Sequence, residues 1–287
     1  MPRPQRLRNR LLGAACACAA LLAGGCVDIQ TAGTEQGQRQ AVRLPQNLDL
    51  GLQQQETLHF LVKSHSREAA VSYGDGAEKL YQQLMQVTGL YSFVPSQPYE
   101  LVILPNRQDY LAKTGAPQWS GGVTIGNAIV AYESPAVQPI VAHEMTHLIF
   151  NEFMETPRPE LTWLNEGLAV SMERLNYSAE QQISYDNACA SALKYGAVQL
   201  ESLMMSTPLK EERTGAQAWY CQAHSVVSYL LSKGGSMGFS VLAAKLKTGT
   251  TLSNALNTAY NGQWADSAAL ERDWSAATGI SANARAF

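Results

Sequence analysis

The chain has 287 residues, of which 46% are hydrophobic, 8% aromatic and 16% charged. That composition excludes a wholly disordered, collagen-like or coiled-coil protein, and the length is enough to bury a substantial core. Lys and Arg number 21 against 24 Asp and Glu, a net charge of -3, and no basic patch of the kind that binds nucleic acid is visible.

Residues 1–10 carry Arg3, Arg6, Arg8 and Arg10 and no acid. An apolar run over 11–22 follows, too short to span a bilayer, and then the small-residue block Leu22-Ala23-Gly24-Gly25-Cys26. This order predicts a bacterial secretory signal over 1–25. The block resembles a lipobox with Ala23 where Leu is usual, so Cys26 is expected to be lipidated and to anchor the protein to a membrane. Ordinary cleavage nearby, leaving Cys26 a spare thiol, is the alternative. Val27, rather than Asp, after the Cys favours the outer membrane, with the protein facing the periplasm. Loss of 1–25 removes four Arg, leaving 17 basic and 24 acidic residues and a net charge of -7, which disfavours nucleic acid as a partner. Residues 26–55, rich in Gln, Thr and Gly, read as a flexible tether, and 56–287 as the folded domain.

Within that domain, 58–62 reads as a short strand. Over 66–87 the apolar residues Ala70, Tyr73, Ala77, Leu80, Tyr81 and Leu84 recur at helical spacing. Segment 100–104, closed by Pro105, reads as a strand. A third strand region, 123–125 and 128–131, is interrupted at Gly126-Asn127 by a tight turn or an irregular edge. After Pro135 the pattern turns helical, over 137–154, 161–175, 178–195, 216–232, 238–247, 251–260 and 266–277. The order predicts an α+β fold: a small mixed α/β portion (56–150) with an edge strand over a cleft, then a mostly helical portion (151–287). Of five Cys, Cys16 and Cys18 leave with the signal and Cys26 takes the lipid. Cys189 and Cys221 remain, either as a disulfide in an oxidising compartment or as two buried thiols.

The helix expected over 137–154 contains His143-Glu144-Met145-Thr146-His147, an H-E-x-x-H motif that uses two of only five His. Residues i and i+4 share a helix face, so both imidazoles can meet one ion, with Glu144 beside it to take a proton from water. Ile140, Val141, Leu148, Ile149 and Phe150 supply a buried surface around the motif. A catalytic zinc commonly takes a third protein ligand. The extended metzincin pattern is absent, because Phe150 stands where Gly is required and Phe153 where the third His belongs. A carboxylate from a second helix remains, and Trp163-Leu164-Asn165-Glu166-Gly167-Leu168-Ala169 offers Glu166. The intervening chain is long enough to end one helix, turn through Pro157 and Pro159, and start an antiparallel one. Asn165 either supports the ligands or caps the helix.

HEMTH followed by WLNEGLA resembles the gluzincin zinc metallopeptidases, and among them the peptidase MA-like family. The likeness extends over about residues 58–277, through Leu101-Val102-Ile103-Leu104-Pro105, Pro117-Gln118-Trp119, Trp219-Tyr220-Cys221-Gln222-Ala223 and Leu270-Glu271-Arg272-Asp273-Trp274. The resemblance implies that His143, His147 and Glu166 bind Zn²⁺ and that Glu144 activates the water attacking a peptide bond. It implies an oxyanion donor as well, for which Tyr220 is the first candidate and His224, one helical turn on, the second. Strand residues 123–131 would hold an extended peptide or protein substrate. Thermolysin-like relatives place an Asp four residues after the Glu ligand to orient a His; here Val170 stands there, so another group must do so. The sequence therefore reads as a lipid-anchored zinc metallopeptidase of the bacterial cell envelope. A metal-retaining binding or assembly lipoprotein with little catalysis is the alternative.

Overall fold

The computed structural model describes residues 51–208 and 213–281. The signal over 1–25, the lipidation site Cys26 and most of the tether lie outside the described residues. In chain order the elements are β1 (Gln53–Glu56), β2 (Phe60–Ser64), α1 (Arg67–Thr88), β3 (Tyr99–Leu104), α2 (Arg107–Thr114), β4 (Gly122–Ile125), β5 (Ala128–Tyr132), α3 (Val137–Met154), a 3-10 turn (Pro159–Leu161), α4 (Thr162–Leu175), α5 (Ala179–Gly196), α6 (Leu200–Met205), α7 (Arg213–Lys247), α8 (Leu252–Ala259) and α9 (Ser267–Thr278). A small mixed sheet is thus followed by a mostly helical portion, an α+β architecture. No helix among the described residues is long and apolar enough to cross a membrane.

The sheet runs β1-β2-β3-β5-β4. Strands β2, β3 and β5 are parallel, and β1 and β4 flank them antiparallel. Both faces are covered, as buried parallel strands require. On β3, Leu101 and Ile103 enter the main core on the α1 and α3 side, while Val102 and Leu104 enter a smaller cluster with Tyr110 of α2. The interruption at Gly126-Asn127 is a two-residue hairpin turn: Ile125 pairs with Ala128, and Gly126 has φ 61°. Strand β4 therefore lies at the sheet's edge.

Three expectations are corrected. Residues 53–55 were expected to belong to the tether, yet they begin β1, pairing Gln53 with Ser64 and Gln55 with Val62. An exposed strand of three Gln and a Glu pairs through its backbone and carries no apolar alternation to reveal it. Helix α2 escapes a periodicity search because only Tyr110 in it is buried; its ends are set by the Asn106 side chain, which accepts from Asp109 N, and by Gly115 in the left-handed conformation. The short α6 was likewise not anticipated. The two helices expected over 216–232 and 238–247 are both present: α7 is two helical segments that meet at a break at Gly235 (φ 58°, ψ -162°).

Helix α4 is gripped between α3 and α7. Gly167 makes the second contact possible: a Cβ there would stand 2.5 Å from the Ala223 carbonyl oxygen and 2.6 Å from Val227 Cγ2. The obstruction is main chain, which cannot rotate aside. Helix α7 is fixed in turn by Trp219, whose indole N–H donates to Leu203 O (3.2 Å) and Ser206 Oγ (3.0 Å), and by buried Gln222, which bonds both N–H and C=O of Val198. A disulfide joins Cys189 of α5 to Cys221 of α7 across a sequence separation of 32. Replacing Gly167 with Ala is expected to force α4 away from α7 and to lower stability by about 1–3 kcal/mol. Urea unfolding checks this; an unchanged midpoint would contradict the close approach.

Candidate metal centre

Nearly every side chain of α3 from Val141 to Phe150 is buried, so polar groups on this helix must find partners inside the protein. Pro139 lies in its first turn, where a missing N–H costs nothing. His143 and His147 fall on one face, their ring centroids 4.8 Å apart. Helix α4 supplies Glu166. Its Oε2 stands 3.6 Å from His143 Nε2 and 3.5 Å from His147 Nε2. All three residues are buried, and one ligand atom from each lies within 4.8 Å of the others. The structure thus brings together the three residues singled out as ligands.

The far side of each ring is held by α4. His143 Nδ1 lies 2.9 Å from Glu173 Oε2, and Glu173 Oε1 accepts a hydrogen bond from the Tyr177 hydroxyl at 2.7 Å. A carboxylate so placed accepts, so His143 Nδ1 carries the proton. His147 Nδ1 lies 3.0 Å from Asn165 Oδ1, while Asn165 Nδ2 donates to Asn151 Oδ1 at 3.3 Å. The amide orientation makes His147 Nδ1 a donor as well. Both Nε2 atoms consequently turn a lone pair toward Glu166. The order of these pairs, Asn165 with His147 and Glu173 with His143, also shows that α3 and α4 are antiparallel.

The arrangement meets a direct test of metal binding. Glu166 Oε2 is buried and accepts no hydrogen bond. An ionised oxygen and two lone pairs aimed at one point repel one another unless a cation joins them. Two imidazoles and a carboxylate, oriented from behind, are a donor set that fits a divalent metal ion.

Glu144 is 1% exposed and faces β4, where the Thr124 hydroxyl donates to its Oε2 at 2.8 Å. A Cβ at Gly122 would come within 3.3 Å of Glu144 Cγ and 2.5 Å of Ile140 Cγ2, so only glycine lets the strand sit this close to α3. Tyr220 is half-buried on α7, packed edge-on against Trp219 with centroids 5.4 Å apart. His224 lies one turn further on. Its Nδ1 is 3.2 Å from the Tyr185 hydroxyl, and it lines an open pocket of about 860 Å³ with the disulfide, Arg174 and Asp186. None of the three metal-ligand residues lines that pocket. Burial, with the Arg174 charge adding to it, lowers the His224 pKa to about 4, so the ring is neutral at physiological pH.

Two partners in this centre escaped the sequence reading. Glu173 does the work sought at Val170, which instead packs into the apolar cluster beside the disulfide. Seven residues separate Glu166 from Glu173, so both lie on the same face of α4, and a search two turns along would have found it. Thr124 had no local signal, because its role depends on the docking of β4 against α3. Asn165, which could equally have capped the helix, orients His147. Replacing Glu173 with Gln is expected to weaken metal binding about 10- to 100-fold without unfolding the protein. Competition against a fluorescent chelator, with a melting curve of the metal-free variant, measures both.

A sequence model of the Peptidase MA superfamily matches residues 77–279. Among solved structures, native yeast LTA4 hydrolase is similar at 15% identity with a TM-score of 0.49, covering 78% of this chain and 38% of that one. The chain thus spans well under half of that structure's length. Comparison with curated protein sequences finds no match. The superfamily match takes in most of the chain, including all of α3 and α4 with His143, Glu144, His147, Glu166 and Glu173, and the chain belongs to the Peptidase MA superfamily.

Proposed function

We propose that this protein is a zinc-dependent peptidase that hydrolyses peptide bonds with Glu144 as general base. The observation that carries this reading is the buried convergence of His143, His147 and Glu166, with a second carboxylate, Glu144, held beside them. A zinc ion bound there would supply a Lewis acid that lowers the pKa of water and polarises the substrate carbonyl. The residues do the rest. Glu144 takes the proton from the attacking water and delivers it to the departing amide nitrogen, so the water oxygen gains the acyl group and the amine leaves neutral. Glu173 and Asn165 keep both imidazoles oriented through these steps. Tyr220 is the proposed donor to the developing oxyanion. His224 is the second candidate for that role, though its ring already meets Tyr185 beside the disulfide. The edge strand β4 is the proposed support for an extended peptide or protein substrate, through main-chain hydrogen bonds in the cleft between the two portions of the domain.

The same reading places the protein in the bacterial cell envelope, anchored by lipid on Cys26 and facing the periplasm from the outer membrane. Its support is the basic, apolar and small-residue order of residues 1–26. The second reading, a metal-retaining binding or assembly lipoprotein, draws on the depth of Glu144, which is 1% exposed.

Digestion of a peptide library, followed by mass spectrometry with and without chelator, separates the two readings. The peptidase reading expects cleavage that chelator abolishes and added zinc restores. Glu144→Gln is expected to retain the metal and to lose about 10²- to 10⁴-fold in turnover; full activity in that variant refutes the mechanism. Tyr220→Phe is expected to lose about 10²- to 10³-fold in kcat if its hydroxyl stabilises the oxyanion, measured on the best library peptide.

A further inference from the structure

We infer that Thr124 is a positioning residue for the peptidase reaction: its hydroxyl fixes the rotation of the Glu144 carboxylate. The inference builds on the peptidase reading above. The terminal torsion of a glutamate is broad and roughly two-fold, so packing of the stem alone does not determine where the two oxygens point. A hydrogen bond from a rigid donor does.

Thr124 is rigid for reasons local to β4. Its neighbours Val123 and Ile125 are both buried in the cluster on the α2 side of the sheet. Alternation along the strand therefore directs Gly122 and Thr124 toward α3. The ladder with β5 pairs Thr124 with Ile129 and Val123 with Val130, which sets the register. A one-residue slip would bury Thr124 among the apolar side chains and turn Val123 toward Glu144. The β-branched side chain adds its own restriction at χ1.

The hydroxyl has a choice of acceptors on α3 and favours the functional one. It lies 3.5 Å from the Glu144 backbone oxygen but 2.8 Å from the side-chain Oε2. A threonine serving only to satisfy buried polarity could use the backbone carbonyl. The short bond goes to the carboxylate, where charge assistance makes it stronger. Gly122 completes the cradle, since a Cβ there would clash with Ile140 at 2.5 Å and crowd the Glu144 stem at 3.3 Å.

The test compares Thr124→Val, which keeps the shape and removes the donor, with Thr124→Ser, which keeps the donor. Thr124→Val is expected to lower kcat about 10- to 100-fold, with KM within about twofold of wild type and zinc content unchanged. Thr124→Ser is expected to recover most of the loss. Wild-type kcat in Thr124→Val overturns the inference, and so does a loss that Thr124→Ser fails to recover. Crystal structures of both zinc-loaded variants give a readout independent of turnover. The Glu144 carboxylate is expected in one orientation in wild type and Thr124→Ser, and in a different orientation or several in Thr124→Val. An unmoved carboxylate in Thr124→Val overturns the inference whatever the substrate. Absence of chelator-sensitive cleavage by the wild-type protein refutes the peptidase reading instead, so the two failures are distinguishable.

Discussion

Three acceptor atoms held together inside the protein constrain the rest of the structure. Burying one carboxylate and two imidazole nitrogens with their lone pairs facing inward is unfavourable unless a cation sits among them. The fold does not relieve that repulsion by turning the groups apart. It enforces the arrangement, with Glu173 and Asn165 behind the rings, Gly167 pressing α4 onto α7, and β4 closing over Glu144. Metal binding and fold stability are thereby linked: an ion that binds only the folded chain stabilises it by mass action.

The layout also separates the roles of two glutamates one residue type could not otherwise distinguish. Glu166 faces both imidazoles. Glu144 lies one position after His143 on α3 and turns toward the sheet, where it meets a hydroxyl rather than a ring. In the proposed function, direction alone assigns one carboxylate to the cation and the other to proton transfer.

Much of this was legible in the sequence because its signals are local. The i, i+4 spacing of the histidines, the Pro-containing turn after α3 and the Glu on the following helix pointed to the candidate ligands, and apolar spacing pointed to the principal helices and the strand regions after β1. What escaped had no local signature. Glu173 lies a further turn along than the place where thermolysin-like relatives would have it. Thr124 matters only once a strand docks on a helix. Strand β1 is polar throughout, and α2 buries a single Tyr. The position of His224 beside Tyr185 follows from the packing of α5 on α7, which helical spacing within α7 alone does not disclose.

The antiparallel pairing of α3 with α4 has a further consequence. Among the described residues, the three that could hold the ion and the two seen to orient their rings, from His143 to Glu173, belong to one continuous stretch of about thirty residues, whereas Thr124 comes from the sheet. Contacts so near in sequence close with little loop entropy and tend to form early in folding. The groups that could hold the ion therefore come from a single helical hairpin. The rest of the domain clamps that hairpin in place.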